Sequence, residues 1–545
     1  MPSARRNDML ELAMAPQARR LQIAAAVSVL AALIWPGQAV LVARALGRLL
    51  DGVPVAPLPV AAGFVALGLI RAALGLWADR LSQQAAESVI TGLRNQIIAA
   101  EAARAYETAF GGAGAVAALA GEKLATLAPW LLRYGPARAR VMVTPLVLLT
   151  LSFSLSWAAG LILLISGPLI PVFMALVGMA AKDASARQLA GIGSLNDLLV
   201  ERLSALADIR LLGAGRQVAD GFAAEATNLR QRSMAVLRLA FLSSTVLELF
   251  AAIGVAMMAV YVGFSLLGEV SFGTWGGPLT PAQGIFLLLL APEFYQPLRD
   301  LAAAWHDRAA TDALRDELGL WQAAATPARP GAGARVTRLS GPADLRLTGC
   351  RLPSGAALPE IAISAGEAVA LVGPSGAGKT STLRLMAGLV PAAPGMVRVA
   401  GGQLLDDAAA DGWRARIGWM PQAVHFLGTS FGASLRMGRE GDLATAMKAA
   451  AAGHLTPRLT ARPGETGGGL SGGEARRLSL ARALLAAPDV ILADEPTADL
   501  DAETAHAVVD GLLAARDRGV TLVIATHDPA LAARMDRIIR IGNPA

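Results

Sequence analysis

The 545-residue chain is more apolar than a soluble enzyme, with 54% hydrophobic residues and a mean hydropathy of +0.49. Its length allows two to four domains of roughly 150 residues each. The net charge is +6, but the placement of the basic residues, described below, argues against nucleic acid as the partner. The single cysteine, Cys350, excludes an intrachain disulfide.

Six apolar runs in the first 310 residues predict membrane-spanning helices. Several reach the roughly 20 residues that a membrane helix needs, and six such runs disfavour the alternative of buried helices in a soluble protein. The last run is short, and extending it toward Ala304 places charge inside the span. The runs are 21–42, 59–77, 141–157, 158–181, 239–267 and 282–291.

The basic residues predict that the N-terminus and two long polar segments lie on the cytoplasmic side. Residues 181–238 carry eight Lys or Arg and residues 268–281 carry none, and positive residues collect on the cytoplasmic side of membrane proteins. The polar segments, 78–140 and 181–238, have helical periodicity. We expect them to extend the membrane helices into the cytosol, to turn at 111–114 and 213–215, and to reach a cytosolic domain.

Three charges interrupt the apolar runs: Arg71, Glu248 and Glu293. A charge near the bilayer centre costs roughly 2.5–3.5 kcal/mol on insertion scales, so it normally faces a cavity or a partner. One interpretation is a polar transport path in which Arg71 meets a substrate carboxylate. The other is an ion pair between helices, for example Arg71 with Glu248. The sequence leaves both open.

The character of the chain changes after Leu318. Residues 323–338 are rich in Ala, Pro, Gly and Arg and predict a linker, and buried strands are predicted at 368–372, 490–493 and 521–525. The predicted organisation is an all-α membrane domain at 1–320 with six transmembrane helices, a linker at 321–342, and an α/β P-loop nucleotide-binding domain at 343–545.

A complete phosphate-binding loop follows the first of these strands. In the pattern G-x-x-x-x-G-K-[ST], backbone N–H groups and a helix N-terminus point at phosphates. Lys379 would reach the β- and γ-phosphates of ATP, Thr380 would ligate Mg²⁺, and Ser381 would add a phosphate contact. The loop consists of Gly373, Pro374, Ser375, Gly376, Ala377, Gly378, Lys379 and Thr380.

Two acids, Asp494 and Glu495, follow the second strand. An acid at a strand end beside the phosphate loop holds the metal or its waters, and a neighbouring carboxylate can polarise the attacking water. We therefore assign Asp494 to Mg²⁺ and Glu495 to the general base.

A Ser-Gly-Gly turn, Ser471, Gly472 and Gly473, precedes a helix predicted at 475–485. A helix N-terminus of this kind is a second anion-binding site. Because the chain already has one phosphate loop, the second site makes sense if it is offered to the ATP of another subunit. The motif therefore predicts a dimer.

These motifs, together with Gln422, Asp501 and His527, resemble those of ABC-transporter ATPases in order and spacing. The resemblance covers the whole cytosolic domain. It implies that Gln422 senses the γ-phosphate or Mg²⁺ and faces the membrane domain, that Asp501 lies at the dimer seam, and that His527 contacts the γ-phosphate. One departure is Leu352, which stands where such ATPases usually stack an aromatic side chain on adenine. Replacing that stacking by an aliphatic contact would weaken adenine binding by about 1 kcal/mol.

The membrane half resembles exporter-type ABC architecture, and four of its segments are similar to the CydD family of the cytochrome bd biogenesis transporter. That resemblance implies a heterodimer with a CydC-type subunit in the bacterial inner membrane, with the nucleotide-binding domain in the cytoplasm. It also implies export of cysteine or glutathione to the periplasm, and haem handling during cytochrome bd assembly. The segments are 157–163, 168–174, 241–248 and 290–299.

The resulting main hypothesis is ATP-driven export of a small thiol across the bilayer. One alternative is an assembly ATPase that transports or presents haem, and another is an exporter of a different small molecule or lipid. No Cys-x-x-Cys-His motif is present, but His306, the histidine near a span, leaves axial haem ligation open. The six spans exclude a soluble ABC ATPase of DNA repair or translation.

Overall fold

The chain forms two compact units in the computed structural model. The first contains Met1–Ile97 and Gly114–Ala323, and the second contains Ile98–Ala113 and Ala324–Ala545. The structure describes residues 9–106, 110–170, 172–173, 202, 206–352, 355–392, 395–426, 430–462, 469–498 and 500–542.

The first unit is built from helices, of which α4, α10 and α11 are each longer than 40 residues. A 3₁₀ turn at Ala15–Gln17 joins the first two helices. A π-helical turn at Trp130–Tyr134 lies directly before α7, and a second 3₁₀ turn lies before α6. In chain order the helices are α1 (Met9–Met14), α2 (Ala18–Leu33), α3 (Trp35–Leu50), α4 (Pro57–Ala103), α5 (Gly112–Gly121), α6 (Leu127–Pro129), α7 (Gly135–Leu155), α8 (Trp157–Ile170), α9 (Leu206–Leu211), α10 (Gly215–Leu266) and α11 (Pro281–Ala323).

Four stretches of the described residues are long and apolar enough to cross a membrane. They are Met9–Leu50, Pro57–Ala103, Gly114–Leu155 and Thr245–Leu266, and they contain or overlap four of the predicted spans. The fourth predicted span begins in α8 and continues beyond the described residues, and the sixth lies on α11, which contains Pro292 and Pro297. The count of six therefore stays a prediction.

Small residues let these helices approach closely. A methyl group added at Gly47 of α3 would collide with Ala282 at the start of α11. A methyl group at Gly254 of α10 would collide with the hydroxyl of Tyr295, a fully buried residue of α11. Close backbone contact of this kind replaces the hydrophobic driving force between helices in lipid.

The second unit contains a parallel five-stranded sheet with the order β6-β7-β8-β3-β9. Every residue of β7 and β8 is buried, as expected for parallel strands covered on both faces. The strands predicted at 368–372, 490–493 and 521–525 are confirmed as β3, β7 and β8. The five strands are β3 (Ala368–Val372), β6 (Ile417–Met420), β7 (Val490–Asp494), β8 (Thr521–Thr526) and β9 (Arg537–Arg540).

An antiparallel sheet, seven α-helices and a 3₁₀ helix at Gly453–Arg458 complete the described part of this unit. The antiparallel order is β2-β1-β4-β5, with β1 (Leu345–Thr348), β2 (Ile361–Ile363), β4 (Met396–Val399) and β5 (Gln403–Leu404). The helices are α12 (Lys379–Met386), α13 (Ala410–Arg414), α14 (Phe431–Arg436), α15 (Leu443–Ala449), α16 (Gly472–Leu484), α17 (Ala502–Arg516) and α18 (Pro529–Ala532).

The tip of the first polar segment, Ile98–Ala113, belongs to the second unit. The backbone N–H of Ala105 donates to the carbonyl of Pro327 at 3.0 Å, and that of Arg329 donates to Ala103 at 2.8 Å, which forms an antiparallel bridge. Ala105 and Tyr106 also pack against a hydrophobic core of the unit. Residues 98–113 therefore pack within the second unit, and the cytosolic location of that unit stays a prediction.

Three glycines of the two predicted turns have left-handed backbone conformations. Gly111 and Gly112 have φ values of +74° and +77°, directly before and at the start of α5. Gly213, between α9 and α10, has a φ of +65°. Glycine adopts this left-handed conformation without steric cost, which is why these positions can reverse the chain.

Candidate ATP-binding site

The candidate site lies at the carboxyl edge of the parallel sheet. Val372 pairs with Thr526, and Asp494 pairs with Ala525, so β3, β7 and β8 end side by side. The next residues along the chain are Gly373, Glu495 and His527. Parallel sheets bind their ligands at this edge.

The phosphate loop has the backbone that its glycines predict. Gly376 and Gly378 have φ values of +81° and +96°, and Gly378 is the N-cap of α12. The Lys379 ammonium donates to the carbonyls of Gly373 at 2.8 Å and Pro374 at 3.2 Å. It also lies 4.0 Å from a carboxylate oxygen of Glu495. The lysine is therefore held over the loop, where a bound phosphate would meet it.

The side chains of Asp494 and Thr380 lie side by side, and both carry oxygen atoms that can serve as metal ligands. Asp494 is the last residue of β7 and is only 2% exposed. Burial raises the pKa of Asp494, and a hydrogen bond with the Thr380 side chain partly offsets that effect. A carboxylate beside a hydroxyl fits Mg²⁺, which prefers one or two carboxylates and keeps its other positions for phosphate and water.

Glu495 is held in a strained conformation against His527. Its φ is +46°, a region that non-glycine residues adopt rarely and mostly at functional sites. Its backbone N–H donates to Ala525 at 2.9 Å, and its carboxylate lies 2.9 Å from His527 Nδ1. The Glu495 side chain is 11% exposed and that of His527 is 71% exposed. The structure therefore brings the predicted base and histidine together, with the histidine facing solvent.

Gln422 is exposed and lies just after β6. Two arginines of α16 hold the segment around it: Arg476 donates to the carbonyl of Pro421 at 2.9 Å, and Arg482 donates to that of His425 at 3.0 Å. Sequence reasoning did not single out either arginine. The sequence offered one signal: Arg476 lies in the helix that directly follows the Ser-Gly-Gly turn. If that helix is packed, a buried arginine on it must find acceptors nearby.

The Ser-Gly-Gly turn begins α16 with a capping box. The Ser471 hydroxyl accepts from the backbone N–H of Glu474 at 3.2 Å, and the backbone N–H of Ser471 donates to the Glu474 carboxylate at 2.7 Å. Ser471 and Gly472 are exposed. The helix N-terminus is thus fixed in place and open to an anion from outside the chain.

Asp501 lies close to the Ser-Gly-Gly turn, because Thr504 is a neighbour of both. It caps α17 by accepting from the backbone N–H of Thr504 at 2.9 Å, and this hydrogen bond lowers the pKa of Asp501. A methyl group added at Gly473 would lie 2.9 Å from Thr504 Cγ2. Both predicted dimer-facing motifs therefore lie on adjoining helix N-termini.

Leu352 packs directly on the phosphate loop. It is 7% exposed, and a methyl group added at Gly378 would collide with its side chain. Its backbone N–H donates to Ala356 at 2.9 Å, so a short hairpin after β1 holds it there. The proximity to the nucleotide loop agrees with the sequence analysis, while the adenine contact stays a prediction.

The intramembrane charges pair differently from the example given above. Arg71 lies 2.7 Å from Glu293, and Glu248 lies 3.3 Å from Arg299. Arg71 is therefore paired between helices, as one of the two interpretations has it, but its partner is Glu293 in place of Glu248, because α4 and α10 each direct their charge toward α11. The side chain of His306 lies outside the described part of the chain, so the haem hypothesis is not tested by it.

Comparison with known proteins identifies both regions. Residues 21–280 match the family model described as the ABC transporter transmembrane region, and residues 359–498 match the family model described as ABC transporter. A solved structure of a bacterial Atm1-family ABC exporter with ATP bound has the same fold. Its TM-score is 0.72 at 19% identity, and the match covers 96% of this chain and 93% of that one.

Two curated relatives narrow the comparison. The glutathione/L-cysteine transport system ATP-binding/permease protein CydD of Haemophilus influenzae is 37% identical over 430 residues, which cover 76% of this chain and 72% of the relative. The protein of the same system named CydC, from Bacillus subtilis, is 27% identical over 78% of this chain and 75% of its own length. The chain belongs to the ABC transporter family, as a CydD-like exporter protein that couples ATP hydrolysis to transport.

Proposed function

We propose that the chain is one half of a transporter that exports a small thiol, cysteine or glutathione, from the cytoplasm to the periplasm in support of cytochrome bd assembly. The observation that carries this proposal is the 37% identity to a CydD protein named for glutathione and L-cysteine transport. The other half is a CydC-type subunit, and the bilayer is the bacterial inner membrane. A relative named CydC supports the choice of partner.

The chemistry follows from the carboxyl edge of the sheet. The loop from Gly373 to Thr380 holds the phosphates of ATP, with Lys379 on the β- and γ-phosphates. Thr380, Asp494 and Gln422 would hold Mg²⁺, which neutralises phosphate charge when bound. Asp494 ends β7, Gln422 follows the neighbouring strand β6, and Thr380 is hydrogen-bonded to Asp494, which supports this assignment.

Hydrolysis depends on Glu495 and His527. The Glu495 carboxylate accepts a proton from the attacking water, since it lies beside the phosphate loop with its backbone fixed by Ala525. His527, whose side chain lies 2.9 Å from that carboxylate and is 71% exposed, contacts the γ-phosphate.

Closure depends on a second chain. Ser471, Gly472 and Gly473 bind the ATP held by the phosphate loop of the partner, and Asp501 lies at the seam between the two domains. The domains, 343–545 in this chain, close on each other with two ATP molecules between them. The tip at Ile98–Ala113 carries the closure toward the membrane helices of 1–320, because it is bonded to the linker within the second unit.

The test is transport into inside-out membrane vesicles that contain this chain and a CydC-type partner. We expect ATP-dependent uptake of radiolabelled cysteine or glutathione, abolished by Glu495→Gln and retained in Glu440→Gln, an exposed acid away from the site. Uptake of haem in place of both thiols would replace the thiol proposal with the haem alternative. Uptake that persists in Glu495→Gln would show that the base is assigned wrongly.

A further inference from the structure

A cavity in the first unit is lined by charges of both signs. It encloses about 510 Å³ among α2, α4, α7 and α11, within the range of small-molecule pockets. Its charged lining residues are Arg71, Asp79, Arg140, Glu293 and Asp300. All of its lining residues belong to the first unit.

Two ion pairs occupy the cavity wall. Arg71 lies 2.7 Å from Glu293, with side chains 35% and 20% exposed, and Arg140 lies 3.1 Å from Asp300. Because both charges of the Arg71–Glu293 pair are partly exposed and line the cavity, a ligand that carries one charge of each sign can reach them and keep each of them paired. The guanidinium of Arg71 also lies 5.4 Å from the ring centroid of Trp35, which holds it in place from the other side.

The charge balance of the wall favours one class of ligand. Two arginines and three acids leave the described lining with one excess negative charge. A ligand with one ammonium and one carboxylate satisfies both members of a pair and buries no net charge. The second carboxylate of glutathione, or the two propionates of haem, would instead add negative charge to an already acidic wall.

We propose that this cavity binds the ammonium and carboxylate groups of an α-amino acid with zero net charge. The carboxylate accepts from Arg71 and the ammonium donates to Glu293, so the ligand inserts into that ion pair. Leu132 and Pro136 supply apolar contact for its side chain. The inference rests on the proposed export function and narrows its substrate to cysteine rather than glutathione or haem.

Small residues on α4 keep the cavity open. Gly68, Ala72 and Gly75 line it at helical spacing on one face. A Cβ added at Gly75 would meet no atom within 4 Å in the described part of the chain. Gly92, on the same helix but outside the cavity lining, has equally free surroundings. Gly75→Leu and Gly92→Leu are therefore matched variants, and only Gly75→Leu places a larger side chain in the cavity.

The experiment is equilibrium binding of radiolabelled L-cysteine and L-serine to the full chain with its CydC-type partner in lipid nanodiscs, without ATP. We expect both amino acids to bind. We expect Gly75→Leu to weaken binding at least about tenfold by occupying the cavity, and Gly92→Leu to leave it unchanged. N-acetylcysteine, which lacks the ammonium, and cysteamine, which lacks the carboxylate, should compete at least about tenfold less well, as expected for the loss of one charged hydrogen bond.

Four results would overturn the assignment: no amino-acid binding to the unmodified complex, normal binding in Gly75→Leu, loss of binding in Gly92→Leu as well, or equal competition by N-acetylcysteine or cysteamine. Vesicle transport separates this failure from that of the export proposal. If thiol export keeps its usual KM in Gly75→Leu, the cavity assignment fails and the export proposal stands. If amino acids bind at the cavity of a complex that exports no thiol, the export proposal fails and the cavity assignment stands.

Discussion

The ATP site places one buried acid, Asp494, where its ionised form is disfavoured. Asp494 is the last residue of β7 and is 2% exposed. Burial raises the pKa of its carboxyl above the usual value of about 3.9. An acid whose pKa is higher in the folded state contributes most to stability below its unfolded pKa. That contribution is lost as the pH rises through the folded pKa. Ionisation of Asp494 therefore costs stability, and a divalent cation bound beside the carboxylate would offset that cost.

Replacing Asp494 by Asn should raise the thermal stability of the nucleotide-free protein at neutral pH. The neutral amide removes the cost of burying a charge, and the gain should shrink as the pH is lowered toward the carboxyl pKa, where the native acid is protonated. The same change should weaken Mg²⁺-dependent ATP binding. Thermal unfolding across pH, with and without Mg²⁺·ATP, measures both effects.

Asp510→Asn is the control, because Asp510 is an exposed acid on α17 that pairs with Arg534 at the surface. Its change should leave Mg²⁺·ATP binding unaltered. A neutral-pH Tm for Asp494→Asn below that of the unmodified protein would contradict the argument.

At the scale of elements, the link between the first polar segment and the ATP-binding unit is a backbone pairing. Ala103, Ala105, Pro327 and Arg329 form an antiparallel bridge between the end of α4 and the linker. The linker continues along α13, where the Asp411 carboxylate accepts from the N–H groups of Ala332, Gly333 and Ala334. A segment whose composition indicates a loose connection is thus hydrogen-bonded to the domain along much of its length.

Replacing Ala105 by Pro removes the N–H that donates to Pro327 and should loosen the bridge. Loss of one backbone hydrogen bond costs about 1 kcal/mol, and more if the carbonyl stays buried without a partner. We expect transport per ATP hydrolysed to fall while hydrolysis itself continues, because the ATP site is untouched. Parallel measurement of ATPase rate and vesicle uptake gives this ratio, and Ala105→Ser, which keeps the N–H, should behave as the unmodified chain. An unchanged ratio in Ala105→Pro would remove the tip from the coupling path.

At the scale of the whole molecule, the sequence predicts the parts that local chemistry determines. The buried strands before Gly373, Asp494 and Thr526 are visible as apolar runs, and the phosphate loop specifies its own left-handed glycines. Contacts between distant helices follow from packing instead, so the sequence did not supply Glu293 as the partner of Arg71, and the arginines that hold the Gln422 segment were missed. The strained φ of Glu495 likewise depends on its bond to Ala525, a neighbour only in the folded sheet.

The dimer itself can be tested at the N-terminus of α16, because aspartate caps a helix as well as serine does. Ser471→Asp should keep the cap and the fold, yet place a negative charge against the phosphates of the partner's ATP. We expect the variant to bind ATP in its own phosphate loop with unchanged affinity and to lose ATP-dependent association of the nucleotide-binding domains, measured by cross-linking in the Glu495→Gln background.

The matched control is Ser430→Asp, since Ser430 caps α14 by accepting from Ala433 at 3.1 Å and is not part of the motif. That change should leave association intact. If Ser471→Asp also leaves it intact, the anion at this helix is not the partner's ATP. The phosphates of each ATP would then be held by Mg²⁺ and by the phosphate loop of a single chain, without a contribution from the partner's α16.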